Sequence, residues 1–226
     1  MRVMFIEARK RLSRLSPNDN KNIKALNAIP KKARRIGLIT TVQYIDLLKP
    51  VKEFLIKQGK SVFIAKGSLT RHPGQLLGCD ISAAKKLINI DAFLFIGSGM
   101  FHAEQIALLG KLVFIWHPEH NSLDKISKKA IAKLKKRKKA ALFRFLSADT
   151  VGIIVSIKPG QFNLKEALRI KEKLTKKGKE AFIFLTDTIN LQELENFSCK
   201  AWLNTACQAL NMEPKILNLA DAIDIL

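Results

Sequence analysis

Long apolar runs are missing from this sequence. The longest, such as Ala92–Ile96 and Leu112–Trp116, extend about five residues, where roughly 20 are needed to cross a bilayer, so no membrane span is expected. The N-terminus, MRVMFIEARKRLSRL, is basic and holds no apolar stretch of signal-peptide length ahead of a small-residue cleavage site, which points to the cytoplasm rather than export. Cysteine is scarce. Cys79, Cys199 and Cys207 are too few and too scattered for a disulfide framework and read as thiols or metal ligands in a reducing compartment. No serine–histidine–acid elbow, P-loop or HExxH sequence occurs, so hydrolase and kinase readings lack a starting residue.

Acidic residues are also in short supply, 19 against 40 lysines and arginines, for a formal net charge of +21. Such a balance invites a nucleic-acid reading, because basic side chains release counterions when they meet phosphates. The densest cluster, Lys125–Lys139, has Ile126, Ala130, Ile131 and Leu134 at helical spacing with lysines on the other face, the pattern of a solvated helix. No RNA-recognition aromatic motif, zinc finger or helix-turn-helix accompanies it. A nucleic-acid partner is therefore not expected, and polyanion binding is a secondary reading.

What is present is a βαβ rhythm. Short apolar runs at Arg35–Thr40, Ser61–Ala65, Asp91–Ile96 and Leu112–Trp116 alternate with segments of helical periodicity, and near-continuous runs such as Phe93–Ile96 suit a parallel sheet covered on both faces. The second half repeats this, with Thr150–Ser156, a helix over Leu164–Lys176, then Ala181–Leu185 and Ala201–Leu203. Ile36–Ile39 answers Val151–Ile154, and Gly59-Lys60 answers Gly178-Lys179, so two similar α/β domains are expected, joined by the lysine-rich helix with a boundary near residue 145. Val3–Ala8 reads as a lone strand and Ser16–Asn22 as a loop.

In an open α/β sheet, ligands sit beyond the carboxyl ends of the strands. Gly97-Ser98-Gly99 follows one strand, where glycines either make a tight turn or let backbone approach a ligand. His117 and His120 in the next loop make a poor zinc site without a nearby cysteine. Cys79 lies in a glycine-bearing loop opening the helical Ile81–Leu87 stretch, and Cys207 directly follows the Ala201–Leu203 strand. As bare residues they read either as small buried apolar groups or as thiolate ligands stabilised near a helix N-terminus. Cys199 precedes a strand, at the opposite end, and reads as structural.

Taken in order, the loops resemble the archaeal diphthamide synthase family, the 2-(3-amino-3-carboxypropyl)histidine synthases. The resemblance rests on Ile36–Gln43, Gly74–Asp80, Phe95–His102, Trp116–Glu119, Gly152–Gln161, Thr186–Asn190 and Trp202–Cys207. It implies three homologous α/β domains, each giving one cysteine to a 4Fe-4S cluster that binds S-adenosylmethionine. This chain matches the last two. The expected fold class is thus α/β, two homologous domains with parallel-sheet βαβ units, lacking the family's first domain. Residues 1–33 read as a terminal strand and linker, 34–145 as the second domain and 146–226 as the third. By the same resemblance Cys79 and Cys207 are metal ligands, and the third cysteine would come from another chain. Gln161, Thr186 and Asp187, with Gly97, Ser98 and Gly99, are the positions for cofactor contacts, or else cap their loops. No catalytic side chain is assigned.

The family's chemistry implies reductive cleavage of the bond between sulfur and the γ carbon of S-adenosylmethionine, giving a 3-amino-3-carboxypropyl radical that attacks a histidine of elongation factor 2. Three thiolates on three irons leave the fourth iron open. This sequence departs from the family after the last cysteine, where Gln208-Ala209 stand in place of proline and a basic residue. The leading expectation is the C-terminal part of a split transferase, completed by a separately encoded first-domain polypeptide. The alternatives are a non-catalytic scaffold or assembly subunit bound to a full-length paralogue, and a degenerate remnant that binds polyanions. A homodimer-like assembly is open as well.

Overall fold

A computed structural model of the chain describes residues 7–10, 20–158, 160–206, 215–223 and 225–226. It divides into two compact units, Arg2–Ala132 and Lys133–Leu226.

In the first unit, β1 (Arg35–Thr40) is buried from Ile36 onward, as a central parallel strand must be. After a 3-10 helix at Val42–Leu47 comes α1 (Leu48–Lys57), whose buried Leu48, Val51 and Leu55 recur at i, i+3 and i+7. Pro50 falls in its first turn, where a missing N–H costs little. Next come β2 (Ser61–Phe63), α2 (Ser82–Lys85), β3 (Ala92–Ile96), α3 (Phe101–Ala107), β4 (Leu112–His117) and β5 (Ser122–Lys125). The sheet order is β2-β1-β3-β4-β5, parallel except for β5. Side chains sort by the period of two. Leu38, Leu94 and Trp116 pack toward α1, whereas Phe93, Phe95, Val113 and Ile115 pack toward α2 and α3.

The second unit takes most of α4 (Lys128–Ser147), then β6 (Thr150–Ser156), α5 (Leu164–Lys176), β7 (Glu180–Thr186), α6 (Leu191–Leu194), β8 (Ala201–Asn204), β9 (Ile216–Asn218) and α7 (Leu219–Ala222). Its sheet is parallel in the order β7-β6-β8-β9. Val151, Ile153 and Val155 pack with Ala141 and Phe145 of α4 and with Ala167, Ile170 and Leu174 of α5. On the other face Trp202 lies across β6, with Phe184 and Phe197 edge-on to it. Only glycine admits this: a Cβ on Gly152 would come 2.2 Å from the Trp202 ring.

The duplication extends to single hydrogen bonds. Gly59 (φ 74°) and Gly178 (φ 77°) take the left-handed conformation after α1 and α5, ending each helix as glycine does at this position. The following lysines then act alike. Lys60 Nζ donates to the carbonyls of Pro30 and Ala33 just before β1, at 3.1 and 3.0 Å. Lys179 Nζ donates to those of Leu146 and Ala148 just before β6, at 2.8 and 2.5 Å.

Several expectations need correction. The strand at Ser61 ends at Phe63, not Ala65. The lysine-rich helix begins at Lys128, because Ser122–Lys125 pairs antiparallel with β4. The division between units falls after Ala132, within α4, ahead of the boundary expected near residue 145. Ala130 and Ile131 pack on the first core while Ala141 and Phe145 belong to the second. Val3–Ile6 and Ser16–Asp19 lie outside the described residues. Glu7 and Ala8 are not in a strand, and Asn20–Asn22 open a 3-10 helix, Asn20–Ala28.

Candidate functional site

In each unit the chain reverses its direction of travel across the sheet beside the first strand. The reversal opens a crevice beyond the carboxyl ends of β1 and β3 in the first unit, and of β6 and β8 in the second.

In the first unit the segment after β2 folds back onto this edge. Thr40 N donates to Gly74 O (2.8 Å) and Leu76 N to Thr40 O (2.7 Å), which adds Gly74–Leu76 to the end of β1. Thr40 Oγ1 in turn donates to Ile96 O of β3, at 2.7 Å. The Gln75 side-chain carbonyl accepts from the Arg71 and His72 amides, closing the turn before the strand addition. Beyond it, Gln105 of α3 reaches Gly78 O at 3.5 Å, and Gly78 packs beside the Phe101 ring. Cys79 therefore sits exposed at the crevice, on a loop tied to both neighbouring elements.

The next residue organises that loop. Asp80 is 6% exposed; its carboxylate accepts from Leu69 N at 2.7 Å and from Ser82 N at 2.8 Å. Burial pushes its pKa up, but the hydrogen bonds from Ser82 and Leu69 and the charge of Lys86 outweigh this and hold it below the usual carboxylate value. One of the two readings of Cys79 has a following helix N-terminus stabilise its thiolate. Because α2 is a single turn, the local order comes from Asp80 instead. Asp80 stands one residue ahead of the N-cap Ile81, and its bond to the amide two residues on is the Asx-turn habit of aspartate that could have identified it.

Gly97 closes β3 through Gly97 N to Trp116 O (3.0 Å), Ser98 and Gly99 are exposed, and Gly99 turns at φ 84° into α3. His102 stacks on Phe95, and burial lowers its pKa. His117 pairs with Asp124 at 3.0 Å and does not join His120. Residues 7–10 cross the same edge, which sequence reading did not foresee. Glu7 meets His72 (2.8 Å), Arg9 meets Asp46 (3.1 Å), and Lys10 pairs with Glu119, which also accepts from Tyr44 OH (3.3 Å).

In the second unit, Thr205 N and Oγ1 both donate to Ile154 O, at 3.0 and 2.9 Å, and Ala206 N donates to Asn204 Oδ1 at 2.9 Å. Buried Asn204 donates from Nδ2 to Asn218 of β9, at 2.6 Å. Cys207 follows this anchored segment and lies outside the described residues. Gln161 is exposed after β6, and Asp187 is exposed after β7. The Thr186 hydroxyl donates to Thr188 O at 2.6 Å, capping its own loop. Cys199 lies before β8 at the opposite end, packed with Trp202, and burial raises its pKa. Among the described residues no three histidine, cysteine or acidic side chains form a metal-binding group, and no helix is long and apolar enough to cross a membrane.

Comparison with known proteins places this arrangement. The family model described as "Putative diphthamide synthesis protein" matches residues 1–215. The 2-(3-amino-3-carboxypropyl)histidine synthase of Pyrococcus horikoshii is 36% identical over 190 residues, covering 83% of this chain and 54% of the relative. That of Methanocaldococcus jannaschii is 26% identical over 203 residues, 88% and 52% respectively. The crystal structure of Dph2 from Pyrococcus horikoshii with a 4Fe-4S cluster superposes with a TM-score of 0.78 at 34% identity, over 91% of this chain and 60% of that one. The chain thus spans about half the length of these curated relatives. Family model, sequence identity and fold agree, and the chain belongs to the diphthamide synthesis family.

Proposed function

We propose that this chain holds part of a 4Fe-4S cluster through Cys79 and Cys207. In this reading it serves the transfer of the 3-amino-3-carboxypropyl group of S-adenosylmethionine to a histidine of elongation factor 2, the first step of diphthamide synthesis. The observation that carries the reading is the placement of Cys79, an exposed thiol at the crevice of the first unit in a chain of this family. Thiolate sulfur is the donor such clusters take, so the residue fits the group. When bound, the cluster supplies the electron that cleaves S-adenosylmethionine.

The chain's own residues then have defined tasks. The Thr40 backbone ties Gly74–Leu76 to β1, Gln105 of α3 reaches Gly78, and Asp80 fastens the loop to Leu69 and Ser82, so that the sulfur is presented without further ordering. The Gly97–Gly99 turn brings backbone to the same crevice. In the second unit the Asn204–Asn218 pair anchors the segment leading to Cys207. Gln161 and Asp187 are exposed at that edge and suit the polar groups of an amino-acid substrate, whereas Thr186 keeps its own loop in shape. The third cysteine comes from a separately encoded polypeptide of the family.

Anaerobic reconstitution with iron and sulfide, with and without that polypeptide, tests this. Cluster absorbance and methylthioadenosine release after reduction should need both pieces and should vanish in Cys79→Ala and in Cys207→Ala. No cluster in either condition would sink the proposal.

A further inference from the structure

One helix of the second unit is charged beyond what its fold uses. Six of the seven residues Lys133–Lys139 are basic, and α4 contains no aspartate or glutamate. Ala141 and Phe145 face the core, so the opposite side of α4 carries Lys136, Lys139 and Phe143 at i, i+3 and i+7, flanked by Lys133 and Lys135. All five are exposed. Among the described residues, Lys138 alone of the six cations is ion-paired, to Asp221 at 2.7 Å. Lys133 and Lys136, Lys136 and Lys139, and Lys135 and Lys139 stand three or four residues apart, where like charges repel.

Sequence reading takes this run as a solvated face. It does not anticipate the ring beside it. Phe143 is 59% exposed, and Lys139 Nζ lies 5.6 Å from its ring centroid. From Lys136 to Phe143 the helix rises about 10 Å, so one short strand can meet both the cations and the ring. An acidic protein segment offers carboxylates without requiring a stacking partner, and a duplex keeps its bases inside. A single strand presents phosphates and an open base face together, the pairing that a basic track with an aromatic platform serves.

We propose that the outward face of α4 binds single-stranded nucleic acid, with Lys133, Lys135, Lys136 and Lys139 taking phosphates and Phe143 stacking one base. This goes beyond the cluster chemistry and does not depend on it.

The test is fluorescence anisotropy of the full chain with a short labelled uridine-rich RNA across a salt series. The logarithmic salt slope should be about −3, from roughly −0.7 per phosphate over four contacts. Replacing the four lysines by glutamine should flatten that slope. Phe143→Ala should weaken binding about tenfold at unchanged slope, and should leave heparin binding unaltered. Both substitutions lie opposite the core face, and far-UV circular dichroism checks that the helix persists. Three results would each overturn the proposal: an unchanged slope in the lysine variant, no effect of Phe143→Ala on RNA, or capture by phosphatidylserine vesicles or polyglutamate where RNA is not bound.

Discussion

At the residue scale, the candidate site depends on buried polar atoms that hold one exposed sulfur. Asp80 is the centre of this in the first unit. Replacing it with asparagine leaves the shape nearly unchanged and removes the charge that the Leu69 and Ser82 amides address. The expected loss is about 1–3 kcal/mol, measured by urea unfolding, together with faster alkylation of Cys79 followed by peptide mass spectrometry. The pH dependence has a definite sign. Because the folded-state pKa of Asp80 is lowered, its stabilisation is present above the unfolded carboxylate pKa and is lost as pH falls through the folded value. Cys79 should therefore become more accessible only in acid below the unfolded carboxylate pKa of about 3.9 in the parent protein, and the variant should lack that transition.

Lys60 and Lys179 make a second residue-scale case. Each ammonium bridges two carbonyls at the chain's entry into its unit's second-from-edge strand. Methionine at either position keeps the stem and removes the donors, and should cost about 1–3 kcal/mol. A fall in the urea midpoint in one variant but not the other would show that the two copies are not equivalent in energy.

At the scale of elements, legibility followed the source of each element's stability. Strands β1, β3, β4 and β6 were readable because their near-continuous apolar runs are buried on both faces. Helix α5 was readable to the residue, since Ala167, Ile170 and Leu174 mark a single buried stripe. Strand β5, SLDK, has no such pattern and exists through its pairing with β4. Strand β9 has three residues, and the 3-10 helix at Asn20–Ala28 has no clear period. The site divides in the same way. The loops bearing Cys79 and Gly97–Gly99 could be placed from the rhythm of strands and from family likeness. Gln75 and Asp80 take amides two to four residues away, as turn residues do, but the Thr40 bond to Ile96 and the reach of Gln105 to Gly78 could not be read, because those partners lie across the fold and no local pattern encodes such bonds. The crossing of residues 7–10 over the crevice was invisible for the same reason.

At the scale of the whole molecule, the two units share an architecture. Each is a parallel-dominated sheet that places its family loops beyond the carboxyl ends, with its own buried core. The relatives' greater length then gives the reconstitution experiment its form: activity is sought with a second polypeptide present.

The cation-dense stretch of α4 has a consequence for the integrity of the chain. Trypsin cuts after lysine and arginine, and Lys133–Lys139 is its densest target in a stretch that begins where the two units divide. Limited digestion should therefore yield two main fragments, one retaining β1–β5 and the other β6–β9, resolved by intact mass. A ladder of small peptides at the earliest times would contradict this. The same seven residues make α4 the expected point of cleavage between two sheets that each have a core of their own.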